Sequence, residues 1–142
     1  MDDKKQIEGK VSLVWDYYSE YVSAPNRTGE NIKGINVVSP SFFNLVKLGK
    51  GEIVDNAKSA GEDYVKWAKS QGYKVWPIFS NDSMPQTTHD ILSDYKLRAK
   101  TIENIVNLAV KYQVDGINLD FENMYEEDKD LYTRFVVELY PR

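Results

Sequence analysis

The chain contains no cysteine and a single histidine, His89. Without thiols there is no disulfide framework and no thiolate metal site, and one imidazole cannot build a histidine-based zinc centre. No apolar run approaches the ~20 residues needed to cross a bilayer. The opening Met1-Asp2-Asp3-Lys4-Lys5-Gln6 is too polar for a signal peptide, and residues 1–9 read as a polar leader. Positive charge is not in excess either. Eighteen Lys and Arg against 22 Asp and Glu leave a net charge of −4, with no basic stripe, which argues against a nucleic-acid partner.

What is present describes an ordinary soluble globular domain: 42% hydrophobic and 28% charged residues. The 142 residues are enough for one domain with a core, but short of the ~250 of a whole α/β barrel. Aromatics reach 13%, with ten Tyr and three Trp. Aromatic faces serve carbohydrate sites and hydrophobic cores alike, so the figure alone decides nothing.

Apolar runs bounded by breakers predict strands at 11–15, at 34–39 (halted by Pro40) and at 73–79, the last with an awkward Pro77 inside it. Residues 23–33 have loop composition. Residues 42–54 predict a small hairpin turning through Gly49 and Gly51. Tyr64, Val65, Trp67 and Ala68 predict an amphipathic helix over 57–71, closed by Gly72. Residues 83–90 read as a loop or a short turn of helix. Ser93 is the expected N-cap of a long helix to Tyr112, with Leu97, Ile102, Ile105, Ala109 and Tyr112 on one stripe. Asp128 is the expected cap of a last helix whose Leu131, Phe135 and Leu139 recur four apart before Pro141.

Between the last two helices lies Asp115-Gly-Ile-Asn118-Leu-Asp120-Phe-Glu122. Residues of one parity share a face in an extended chain, so Ile117, Leu119 and Phe121 form an apolar face. Asn118, Asp120 and Glu122 form the other. Two acids on one strand face are costly unless paired or used, because buried carboxylates lose several kcal/mol of hydration. The plainer alternative is a buried strand running into an acidic turn, since Glu126, Glu127 and Asp128 follow. Strands alternating with helices imply right-handed crossovers and a parallel sheet. A further strand is expected after Arg142.

The acidic strand resembles the D-G-x-D-x-D-x-E signature of glycoside hydrolase family 18, the chitinase family, with Asn118 where the pattern usually has aspartate. Another departure is Ser80-Asn81-Asp82, where many chitinases carry Ser-x-Gly-Gly. Residues 34–40, 75–81, 115–124 and 135–142 are similar to the bacterial branch that cuts spore-cortex peptidoglycan, where Asn118 is at home. The resemblance implies an α/β fold: a parallel-stranded fragment, the first four β/α units, of a (β/α)8 barrel, as one partial catalytic domain over 1–142. It also implies a retaining mechanism in which the substrate's own 2-acetamido oxygen is the nucleophile. By carry-over Glu122 is general acid and then base, Asp120 orients the acetamido group, and Asn118 holds Asp120.

In such a barrel the site lies at the C-terminal strand ends. There Asp16 and Tyr17 after strand one, Ser39 (with Ser41) after strand two, and Asn81 (with Asp82) after strand three are expected along the sugar cleft. For Asp16 and Tyr17, ordinary packing is as good a reading. Trp15, Trp67 and Trp76 read as core, His89 as a surface or cap residue, and Asp115 as a structural hydrogen-bonding residue. The implied partner is a glycan containing N-acetylglucosamine, in a cell wall, spore or extracellular setting. Nothing in the residues calls for a metal or organic cofactor. A chitinase, a glycan-binding module without turnover, and an inactive fragment remain open. Four strands leave open barrel edges, so the chain is expected to self-associate.

Overall fold

The structure is a computed structural model in which residues 7–19 and 32–142 are described. The expected 23–33 loop lies almost wholly outside them. Strand β1 (Leu13–Asp16) is followed by β2 (Val37–Pro40). After a kink at Ser41-Phe42 the chain continues as β3 (Phe43–Leu45) and turns back as β4 (Ile53–Asp55). A one-turn 3-10 helix at Lys58–Ala60 leads into helix α1 (Gly61–Ser70). Strands β5 (Lys74–Val75) and β6 (Ile78–Ser80) precede helices α2 (Pro85–Ser93) and α3 (Tyr95–Tyr112). Strand β7 (Asn118–Asp120), a second 3-10 turn at Glu126–Asp128 and α4 (Lys129–Leu139) complete the order.

β1 runs parallel to β2, β2 to β5, β3 to β6 and β6 to β7. Because β2–β3 and β5–β6 are each one stretch of chain, the four strand positions stand side by side in chain order. That is the parallel-stranded arrangement of the first four units of a (β/α)8 barrel, as the alternating pattern predicts. The expected hairpin is there too, with Phe43 opposite Asp55 and Leu45 opposite Ile53 in antiparallel register.

Pro77 explains why the third strand is split. It has no N–H, so the ladder loses one rung. The neighbouring groups keep the strand in place: Trp76 N–H donates to Val38 O at 3.0 Å, and Asn118 N–H donates to Pro77 O at 2.9 Å.

Helix α1 ends as expected. Gly72 takes φ +86°, Tyr73 N–H reaches Ala68 O at 3.1 Å and Gly72 N–H reaches Lys69 O at 3.0 Å. This double closure satisfies carbonyls that the helix end would orphan, and it needs a residue that accepts positive φ. Two other expectations are corrected. Residues 85–93 form a full helix, started by Pro85 at a position where its missing N–H costs nothing. Ser93 is therefore the last residue of α2, and Asp94 caps α3, its Oδ1 accepting from Lys96 N–H at 2.8 Å and Leu97 N–H at 3.2 Å. Asp128 stands at the start of α4 but makes no capping bond.

The core lies between the strands and the helices. Tyr18, Phe42, Phe43 and Tyr64 form an aromatic cluster of edge-on contacts there, and Tyr112 joins it at a tilt. Phe79, Phe121, Tyr132 and Phe135 form a second one under β6 and β7. Buried Arg98 ties α3 to α4 through Glu138, at 2.8 Å and 3.3 Å, and closes α2 by donating to Leu92 O at 2.8 Å. No described helix is long and apolar enough to cross a membrane.

Phe79 is fully buried and touches the ring that anchors the acidic strand. Phe79→Ala is expected to lower the unfolding free energy by about 3–5 kcal/mol, read as a fall in the urea midpoint. A loss under ~1 kcal/mol would mean the second aromatic cluster is not a unit of the core.

Candidate active site

Asp115 opens the acidic run as a clasp. Its N–H donates to Val75 O at 2.9 Å while its Oδ2 accepts from Val75 N–H at 2.9 Å. Lys74 Nζ stands 3.9 Å from its other oxygen. Gly116 lets the Trp76 ring lie against the strand, since a Cβ there would meet Trp76 Cδ1 at 3.0 Å. The strand thereby enters in fixed register, with Ile78 opposite Asn118, Phe79 opposite Leu119 and Ser80 opposite Asp120.

Parity then separates the faces. Ile117, Leu119 and Phe121 pack against the core. Phe121 lies 5.3 Å from Phe79 edge-on and 5.7 Å from Phe135 stacked. Asn118 and Asp120 alternate with these residues, so they take the other face. Asn118 Nδ2 donates to Ser39 Oγ at 3.0 Å, and Ser39 Oγ donates to Trp76 O at 2.6 Å. The serine has one proton, already committed to a carbonyl, so it is left as an acceptor. An amide N–H fits there and an ionised carboxylate does not. Among the described residues the expected hold of Asn118 on Asp120 is not made; the amide is matched instead by its neighbour on strand two.

Asp120 is half-buried, and among the described residues nothing donates to its carboxylate, which leaves those oxygens available. Burial, and then the negative charge of Asp120, push the Tyr132 phenol up from its ordinary value.

Glu122 follows one residue after Phe121, with an exposed side chain and a fixed backbone. Its N–H donates to Asn81 Oδ1 at 2.9 Å and its carbonyl accepts from Asn81 Nδ2 at 2.8 Å. The loop that follows is strapped to α2 and the turn before it. Asn123 Nδ2 donates to Ser83 O at 3.1 Å, and Tyr125 OH donates to Gln86 Oε1 at 3.2 Å. His89 Nδ1 meets Asp128 Oδ1 at 2.8 Å. The Asp128 side chain is 1% exposed and that of His89 35%. The other Asp128 oxygen has no partner among the described residues. The hydrogen bond that the Asp128 carboxylate accepts is the main reason the His89 pKa is held above its ordinary value.

The residues expected along the cleft divide. Asp16 shares parity with core-packed Val14, and its Oδ2 accepts from Tyr64 OH at 2.6 Å. Its carboxylate is thus turned toward α1, on the helix side of the sheet. Tyr17 is 85% exposed. Ser39 and Asn81 are both fully buried and serve neighbouring groups rather than an open surface. Trp15, expected in the core, is 62% exposed on the face it shares with Ser39. Trp67 does pack with Tyr64 and Tyr73. Sequence reading missed Tyr132 and Thr88, because each becomes relevant only through a helix packed on the sheet.

The sequence profile described as Glycosyl hydrolases family 18 matches residues 14–141. An uncharacterized glycosylase, YvbX of Bacillus subtilis (strain 168), is 27% identical over 108 residues, 72% of this chain and 30% of that protein. The spore cortex-lytic enzyme SleL of Bacillus cereus superposes on 93% of this chain and 32% of its own length, with TM-score 0.73 and 19% identity. A class V chitinase from Pseudomonas fluorescens Pf-5 superposes on 74% of this chain and 33% of its own length, with TM-score 0.64 and 28% identity. The chain spans about a third of the length of these relatives.

The His89–Asp128 contact makes stability depend on pH. A histidine whose folded pKa lies above its ordinary 6.5 contributes stability that is fully present below 6.5 and lost as pH rises through the folded value. The urea midpoint is therefore expected to fall from pH 6 upward more steeply in the wild type than in His89→Gln. Parallel curves for the two proteins would refute the linkage.

Proposed function

The chain belongs to glycosyl hydrolases family 18, and on that premise we propose that it carries the acid/base of a retaining, substrate-assisted β-N-acetylglucosaminidase acting on peptidoglycan. The observation that carries the reading is the order of groups at the C-terminal end of the fourth strand. Asn118 and Asp120 share one strand face, and Glu122 follows with its side chain exposed.

Glu122 protonates the glycosidic oxygen as the bond to the anomeric carbon breaks. The acetamido oxygen of the same sugar closes on that carbon to give an oxazolinium ion, with Asp120 aligning and balancing the positively charged ring. Glu122, now ionised, takes a proton from water, which opens the ring with net retention. Neither carboxylate is the nucleophile, so the usual inference from carboxylate separation does not apply here. Asn118, oriented by Ser39, fills the position beside Asp120 with a neutral amide.

Similarity to a spore cortex-lytic enzyme supports a peptidoglycan substrate and a spore or cell-wall setting. The chitinase at 28% identity supports the second reading, in which the glycan is chitin. Among the described residues no strand pairs with the outer edges of β1 and β7, and Trp15 is 62% exposed, which supports self-association of the 142-residue chain.

In the intact protein, Glu122→Gln is expected to lower hydrolysis of peptidoglycan by about 10²–10⁴-fold, the size of a lost general acid/base. An unchanged rate would remove Glu122 from the mechanism, and the same assay on chitin separates the two substrates. Sedimentation of the 142-residue chain is expected to show species larger than a monomer. A single monomeric boundary would count against association through the edges.

A further inference from the structure

Strand β6 stops pairing at Ser80, opposite Asp120. Asp82 and Ser83 take φ +53° and +54°, which turns the backbone away just where Glu122 needs a partner. The Asn81 carboxamide fills the gap. It is fully buried, donates to the Glu122 carbonyl at 2.8 Å and accepts from the Glu122 N–H at 2.9 Å, as a neighbouring peptide group would. Its remaining capacity is taken up as well. Nδ2 also donates to Thr88 Oγ1 at 2.9 Å, Oδ1 accepts from Ser83 N–H at 3.2 Å, and Thr88 Oγ1 donates to Met84 O at 2.6 Å.

We infer that Asn81 is a positioning residue, a side-chain extension of the third strand that fixes where Glu122 stands. The inference rests on the reading of Glu122 as acid/base, and it gives buried Asn81 a part that contact with a sugar cannot. Only an amide of this length satisfies both backbone groups. Aspartate lacks the donor, glutamine displaces it by a methylene, and serine or threonine carries a single polar atom. A misplacement of about 1 Å at a reacting group costs about 10²-fold in rate, so the clamp bears on kcat rather than on sugar affinity.

The test compares Asn81→Asp, Thr88→Val and Glu122→Gln in the intact protein, with amide hydrogen exchange followed at Glu122. For Asn81→Asp, kcat is expected to fall about 10²-fold with KM changed less than about twofold, while Glu122 N–H exchange accelerates. The loss relative to wild type is expected to shrink as pH drops, because a protonated carboxyl regains a donor for the Glu122 carbonyl. Thr88→Val, which removes only the brace behind Asn81, is expected to give a smaller fall of the same kind and covers the case in which Asn81→Asp fails to fold. An Asn81→Asp or Thr88→Val protein with unchanged kcat, beside an inactive Glu122→Gln, overturns the clamp alone. An active Glu122→Gln overturns the acid/base reading and the clamp with it.

Discussion

The packing of Phe121 between Phe79 and Phe135 is the contact on which the acidic end of the sheet depends. Fully burying one aromatic side chain is worth about 1.5–3 kcal/mol, of which partly buried Phe121 gains a share, and each ring pair adds about 0.5–1.5 kcal/mol. Phe121 is flanked by Asp120 and Glu122, so fixing its ring fixes the backbone between the two acids. A slip of one residue would bury Asp120 and Glu122 among aromatic rings and expose Leu119 and Phe121. The energy that holds the acidic face in place is therefore apolar and lies on the other side of the strand.

Polar side chains complete what the backbone leaves unpaired. Asp115 closes the strand's entry with a carboxylate on Val75 N–H, and Asn81 closes its exit with an amide on Glu122. Between them Asn118 reaches Ser39 two strands away. Asn81 is buried and Asn118 half-buried, and all three have a defined partner, which is how polar groups avoid the penalty of unmet hydrogen bonds. The same logic explains the strap from the Glu122 loop to α2. Asp128 gives up a helix cap to bind His89, trading a common local bond for one that ties two elements together.

Asn118 shows that a motif departure can be a coupled one. The hydroxyl of Ser39 spends its proton on Trp76 O. The acceptor left over selects a donor at 118, so the amide and the serine belong together. Neither residue signals the other in the sequence, where they lie 79 positions apart.

Periodicity and breakers alone made the alternation of strands and helices (α2 excepted), the parity of residues 117–122, the Gly72 helix end and the 42–54 hairpin legible. All of these are local consequences of backbone sterics and side-chain alternation. The resemblance of the acidic octapeptide to a known family added the barrel and the candidate acids. What stayed hidden was decided by which elements meet. Asp94 rather than Ser93 caps α3 because α2 runs on to Ser93, and α2 forms because its Thr87, Thr88, Ile91 and Leu92 find a core to pack on. Asp16 turns to Tyr64 instead of the cleft because β1 places it on the helix side. Asn81 grips Glu122 from 41 residues away. The sequence by itself determined which groups share a face, since alternation is a property of the chain. Only the tertiary structure decided which of them stay open and which are held, because that depends on partners the chain brings in from a distance.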